Sequence, residues 1–432
     1  MHRSYCRSRR HRFVCVALIA CTLPLKGEIA ASEPTGQSIN FVQSPHASLP
    51  DSAEESPTTS DCDSERLSRF LRAAFCGDGS ISAEHVYTGN VFTNVRGGLD
   101  TSRATKYLGN YGLTLTADLD RMNFFAGGQF VLYAQSTHGR GLTNDYVGDL
   151  QSLNNADAFE PFTQVSEFWW ERWIVEDELR VTLGKQDANV EFAVLEPAAH
   201  FINSSFGFHP NIPMPTFPMP SMAAVVEWNI DEQWVFEYGV WDGRPELGNW
   251  GFSESGKLFH IWELEYHYAL GRDGRLPGTV HVGPWYHSDR FDDLSPGSGR
   301  VHAGNYGIHG EWAQRLFNED GRDEENTQGL DAFLQYGWAP ADRNEIEHYL
   351  GGGLVYQGPL YSRDDDVVGI AFAHVILSDR LPGQNYETAV ELFYKAQLSP
   401  RLMVQSDVQF IANPGGNGRD AIVAGVRVEL VL

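Results

Sequence analysis

The stretch VELFYKAQLSPRLMVQSDVQF, residues 390–410, alternates apolar and polar side chains on both sides of a Ser-Pro pair. Val390, Leu392, Tyr394, Ala396 and Leu398 fall on one face of an extended chain, and Glu391, Phe393, Lys395 and Gln397 fall on the other. Beyond Ser399 and Pro400, Leu402, Val404, Val408 and Phe410 oppose Gln405, Asp407 and Gln409. Strand side chains alternate with period two, so the stretch reads as a two-faced β-hairpin. A soluble sandwich and a membrane barrel both use such hairpins, and the rest of the chain decides between them.

The pattern recurs from about residue 84 onwards. Leu113, Leu115, Ala117 and Leu119 alternate with Thr114, Thr116, Asp118 and Asp120, and Leu179, Val181 and Leu183 with Arg180 and Thr182. Trp234, Phe236, Tyr238 and Val240 share a face, as do Trp262, Leu264, Tyr266 and Tyr268 opposite Glu263, Glu265 and His267. The last such run sets Ile422, Ala424, Val426, Val428, Leu430 and Leu432 against Arg427 and Glu429. No domain break interrupts these runs, whereas a sandwich is complete in about 100 residues. Tyr394, Trp338 and Tyr268 stand near strand ends on the apolar face, where interfacial girdles occur. At about 22 residues per strand with its connection, about 350 residues give about 16 strands. The expected fold is all-β, a transmembrane antiparallel barrel over 84–432, apolar side to lipid and polar side to a lumen.

Composition fits that reading. The chain has 432 residues, with 32 Lys and Arg against 57 Asp and Glu, a net charge of −25. Nucleic-acid binders carry basic patches, so a nucleic-acid partner is not expected. After the N-terminus no apolar run is long enough for a helical span. MHRSYCRSRRHR is a basic leader, FVCVALIACTLPL an apolar core and GEIAAS a small-residue end, so residues 1–31 read as an export signal. LIAC, ending at Cys21, also resembles a lipoprotein box. Residues 32–60, rich in Ser, Pro and acids, read as a disordered linker. Residues 61–83 read as a short helical segment with Leu67, Phe70, Leu71 and Ala74 on one face. Cys62 and Cys76, the two cysteines beyond the signal, are expected to pair, since exported proteins favour disulfides.

Four segments resemble the carbohydrate-selective porin family (OprB-like) of bacterial outer membranes: YLGNYGLTLTADLDRMNFFAGGQFVLYAQSTHGRGL (107–142), LRVTLGKQDANVEFAVLEPAAHFINSSFGFHPNIPMPTFPMPS (179–221), YGVWDGRPELG (238–248) and ETAVELFYKAQLSPRLMVQSDVQFIANPGGNGRDAIVAGVRVELVL (387–432). They follow the family's order and span about residues 84–432. One departure is Leu432, where such barrels usually finish on an aromatic residue. The resemblance implies an outer-membrane channel for passive, substrate-biased diffusion of mono- or small oligosaccharides, as a homotrimer or a monomer, with outer-membrane lipid around it. It implies no catalysis, no cofactor and no metal. The alternatives are a general diffusion porin and a secreted sugar-binding β protein.

The proline-dense segment HPNIPMPTFPMP (209–220) cannot be a central strand and is a loop, folded either inward as a constriction or outward on the surface. The charged residues before it, Lys185, Asp187 and Glu191, with Asn203, are candidates to line the pore. WWER at 169–172 adds Glu171 and Arg172 as lumen charges and Trp170 as a stacking platform, unless these tryptophans belong to a girdle. Planar amides, carboxylates and guanidinium groups exchange hydrogen bonds with sugar hydroxyls, and indole rings stack on the apolar C–H face. The sequence contains no GxSxG, HExxH or P-loop, which argues against the common hydrolase and nucleotide-binding chemistries.

Overall fold

The computed structural model describes residues 79–122, 127–271, 274–319 and 328–432. The export signal, the linker, the helical segment up to residue 78 and the Cys62–Cys76 pair lie outside the described residues. The strands are β1 (Ile81–Arg96), β2 (Thr105–Asp118), β3 (Gly128–Gly139), β4 (Thr163–Val175), β5 (Leu179–Gln186), β6 (Ser221–Asn229), β7 (Trp234–Asp242) and β8 (Leu258–Leu270). They continue as β9 (Leu276–Asp292), β10 (Val301–Asn318), β11 (Gly329–Trp338), β12 (Ile346–Gln357), β13 (Val367–Leu377), β14 (Tyr386–Ser399), β15 (Leu402–Ala412) and β16 (Ala421–Val431). Each pairs antiparallel with its sequence neighbours, and β16 returns to β1 to close a barrel of 16 strands. The closing seam runs from Val86 opposite Val431 to Thr93 opposite Ala424. β1 begins at Ile81, ahead of the boundary expected at 84, because Ile81, Ser82 and Ala83 find partners in Ala117, Thr116 and Leu115.

The hairpin at 390–410 is β14 and β15, in the register Leu392 opposite Val408 and Glu391 opposite Gln409. Leu392 is 51% exposed and Val408 47%, whereas Glu391 and Gln409 are fully buried. An apolar side chain exposed outside and a polar one buried inside is the inverse of a soluble protein and the signature of a wall set in lipid. Outward-facing Leu334, Leu350, Ile370 and Val426 continue the apolar band around the barrel.

Short connections such as 176–178, 230–233 and 400–401 gather at one end, and the two longest, 140–162 and 187–220, lie at the other. Both of these fold into the lumen. Their apolar residues build the core there. Phe201 packs on Phe206 (4.7 Å between centroids), edge-on to Phe393 of β14 (4.9 Å) and against Phe333 of β11 (5.7 Å). Phe192 meets Trp241 of β7 edge to face. Each large side chain taken out of water here contributes about 1.5–3 kcal/mol to holding its loop against the wall. Gly369 on β13 makes room for two of these rings, since a Cβ there would lie 2.5 Å from Phe393 and 3.1 Å from Phe201.

Candidate channel constriction

The 187–220 loop is closed at its root. Asp187 follows β5, and its carboxylate accepts the N–H of Asn189 (2.8 Å) and, from the far end of the loop, that of Phe217 (2.8 Å). The Ala188 N–H donates to the Pro215 carbonyl (2.9 Å) beside it. Burial lifts the Asp187 carboxyl above its ordinary range, and these N–H donors act against that rise. Proline lacks an N–H, so the dense proline run leaves fewer backbone donors to satisfy inside the barrel.

Across the lumen, wall side chains satisfy the loop's backbone. Glu391 of β14 accepts the N–H groups of Ile202 (2.6 Å) and Asn203 (2.8 Å). Gln405 of β15 donates to the His200 carbonyl (3.0 Å) and Gln335 of β11 to that of Phe206 (2.9 Å). Tyr349 of β12 donates to the Ser205 carbonyl, and Glu263 of β8 accepts the Ala193 N–H (2.9 Å). Asn203 caps a single helical turn, α1 (Ser204–Gly207), by accepting the Ser205 N–H (3.0 Å).

The 140–162 loop is held in the same way. Glu387 of β14 accepts the N–H groups of Leu150 (2.8 Å) and Gln151 (3.0 Å). Arg427 of β16 donates to the side-chain carbonyls of Asn154 (3.0 Å) and Asn155 (2.7 Å). The two loops are also stitched to each other by backbone, Asn155 N–H to Ile202 O (2.8 Å) and Ser204 N–H to Ser152 O (2.9 Å).

Alongside the constriction loop the wall carries a row of charged side chains in register. Arg180 of β5 stands opposite Glu227 of β6, Glu227 opposite Glu237 of β7, and Glu237 opposite Glu263 of β8. Glu265 then faces His281 of β9, and His281 faces Glu311 of β10. Directly opposed residues share a face, so the row lies on the lumen side throughout. Arg180 organises its start. Its Nη1 and Nη2 donate to Glu191 of the loop (2.9 and 2.7 Å), its Nε to Glu227 (2.7 Å) and its Nη1 also to Glu171 of β4 (3.2 Å). Gln129 of β3 donates to the other oxygen of Glu171. The carboxylates of Glu191, Glu227 and Glu237 lie within 4.8 Å of one another. One guanidinium thus binds three carboxylates, with a bidentate pair to Glu191.

Of the residues singled out in the sequence, Glu171 and Glu191 meet at Arg180. Lys185, Asp187 and Asn203 are buried where the loop is anchored, with Lys185 Nζ donating to the Val165 carbonyl (3.3 Å). Alternation along β4 puts Trp170 and Arg172 on the face opposite to Glu171, with Trp170 beside the exposed Phe130 and Leu183. Trp173 is the tryptophan that stands next to Arg180 on the lumen face. Arg180 was visible in the sequence only as a polar member of an alternating run, and Glu227 and Glu237 were not singled out. Their meeting depends on the register between strands.

A closed barrel with an apolar exterior, a charged lumen and inward-folded loops defines an outer-membrane diffusion channel. Residues 102–432 match the model of the carbohydrate-selective porin family, OprB, and the chain belongs to that family. It is an outer-membrane carbohydrate channel. Among curated relatives it is 23% identical over 394 residues to Porin B of Pseudomonas aeruginosa, covering 80% of this chain and 86% of that one. It is 21% identical over 388 residues to the putative porin QuiX of Acinetobacter baylyi, covering 78% and 86%. The high-pH structure of Pseudomonas putida OprB superposes with a TM-score of 0.73 at 22% identity, over 82% of this chain and 94% of that one.

Proposed function

We propose that the channel passes small neutral sugars past a polar station formed by Arg180 with Glu171, Glu191 and Glu227, and that Trp173 supplies the stacking surface. The observation that carries this reading is the Arg180 guanidinium, held on three carboxylates from two strands and the inward loop. Fixed donors beside fixed acceptors match the ring of hydroxyls on a sugar, and an indole next to them matches its apolar face. Binding there is weak, because a tight site would block flux. The test is single-channel conductance of the refolded protein in planar bilayers with neutral sugars titrated in. The expected result is a current that falls saturably with a monosaccharide in the wild type and loses that saturation in Arg180→Ala. Open channels whose current ignores every sugar would replace this reading with general diffusion.

The surplus of carboxylates over guanidinium groups along the row favours a second property of the same lumen. Such a pore favours cations over anions and disfavours acidic sugars.

A further inference from the structure

We infer that His209, Glu263, His309 and Glu311 form a site for one divalent transition-metal ion of the zinc type, which pins the constriction loop to strands β8 and β10. All four side chains are buried, His209 on the 187–220 loop and the other three on the wall. One oxygen of Glu311 lies 3.0 Å from His209 Nε2 and 3.1 Å from His309 Nδ1, and His309 Nδ1 lies 3.6 Å from Glu263 Oε2. The potential ligand atoms of Glu263, His309 and Glu311 are all within 4.8 Å of one another. Ligands on a tetrahedral ion with bonds near 2.0–2.1 Å sit about 3.3 Å apart, so these spacings are close to those of an occupied shell.

A second observation points to an ion rather than to a plain ion-pair cluster. His209 is completely buried, yet neither of its ring nitrogens makes a hydrogen bond of acceptable geometry, although Nε2 approaches a carboxylate. A buried imidazole placed against carboxylate oxygen without a proton aligned between them is arranged as a co-ligand. His309 has the complementary feature. Its Nε2 points to the Trp262 carbonyl (3.4 Å) and its Nδ1 to both oxygens of Glu311 (3.1 and 3.2 Å), so Nδ1 is the nitrogen offered to an ion held beside that carboxylate. A metal ion there takes the place that a proton on Nδ1 would otherwise hold. Glu263 is oriented from outside the shell, one oxygen accepting from His281 Nδ1 (2.8 Å) and the other from the Ala193 N–H (2.9 Å). Outer partners of this kind fix ligand orientation at metal sites. Gly283, opposite His309 on β9, completes the arrangement, because a Cβ there would lie 1.7 Å from the Trp262 carbonyl and 2.9 Å from His309 Nε2. Imidazole with carboxylate and no thiolate suits Zn²⁺ and its first-row neighbours over Ca²⁺ or Mg²⁺.

The experiment is Co²⁺ titration of the chelator-treated, folded porin, read by visible absorption, with Zn²⁺ as competitor. One equivalent of Co²⁺ per chain, with tetrahedral absorption abolished by Zn²⁺, is expected. His209→Gln and Glu311→Gln should each weaken binding by about 100-fold or more. His302→Gln, at the rim beside Asp293, should leave binding unchanged. Zn²⁺ should also raise the unfolding temperature of the wild type and not that of the two variants, a readout that does not depend on transport. Absence of stoichiometric Co²⁺ from folded wild-type protein would overturn the proposal and leave a metal-free network of protonated histidines. Binding that survives both folded variants would overturn it as well. If one variant fails to fold, the other decides.

Discussion

Glu391 illustrates how single wall residues set the channel. Its two oxygens take two backbone N–H groups of the constriction loop in a site closed to water. Truncation to Ala leaves both donors buried and unsatisfied, at about 1–3 kcal/mol each. Glu391→Ala should therefore lower the unfolding temperature and release the loop around 202, seen as faster amide exchange there while the strands stay protected. Asp149 gives the residue-scale pH dependence. Burial, and secondarily the nearby Glu387, push its carboxyl up to about 7 from an ordinary 3.8. An acid whose pKa is raised on folding holds more protons in the folded state over that interval, so its contribution to stability falls as pH rises from about 3.8 to about 7. Asp149→Asn should flatten the dependence of the melting temperature between those limits and gain stability relative to wild type above pH 7. An unchanged pH profile would show that Asp149 does not control it.

At the scale of the element, the inward loops behave as the core of a molecule whose exterior is lipid. Gly369→Val tests this, because the added carbons enter the space held by Phe393 and Phe201. Overpacking of this kind costs about 1–3 kcal/mol. The loop rather than the strand should give way, so single-channel conductance should rise as the melting temperature falls. Much of the element scale was legible in the sequence. Period two at 390–410 assigned Glu391 and Gln409 inward and Leu392 and Val408 outward, because a one-residue slip would reverse every side chain. The proline run at 209–220 marked a loop and left its direction open. That direction is settled by partners such as Glu311, which meets His209, and the Glu347 carbonyl, which accepts from Asn211, both far away in the chain. The same limit hid the charged row. Arg180 and Glu227 become neighbours through the β5–β6 register, which spans the whole constriction loop. Adjacent tryptophans at 169 and 170 could not reveal which faced inward until β4 was paired with β3 and β5.

For the whole molecule, the net charge of −25 and the carboxylates opposed across β6, β7 and β8 predict a cation-selective conductor. A KCl gradient across the bilayer should give a reversal potential of the sign set by K⁺, decreasing as salt screens the lumen. Glu227→Gln combined with Glu237→Gln should reduce that potential without abolishing conductance. A potential near zero in the wild type would place the effective charge outside the conducting path. The contacts between the two inward loops have a different reach. Asn155 to Ile202 and Ser204 to Ser152 are peptide-to-peptide bonds, which nearly every amino acid can make. The join between the two inward loops thus rests on main chain, while wall side chains such as Glu391 and Glu387 seat them in the barrel. Any exchange at those four positions except to proline leaves the two bonds in place, so the loops can change their side chains without parting.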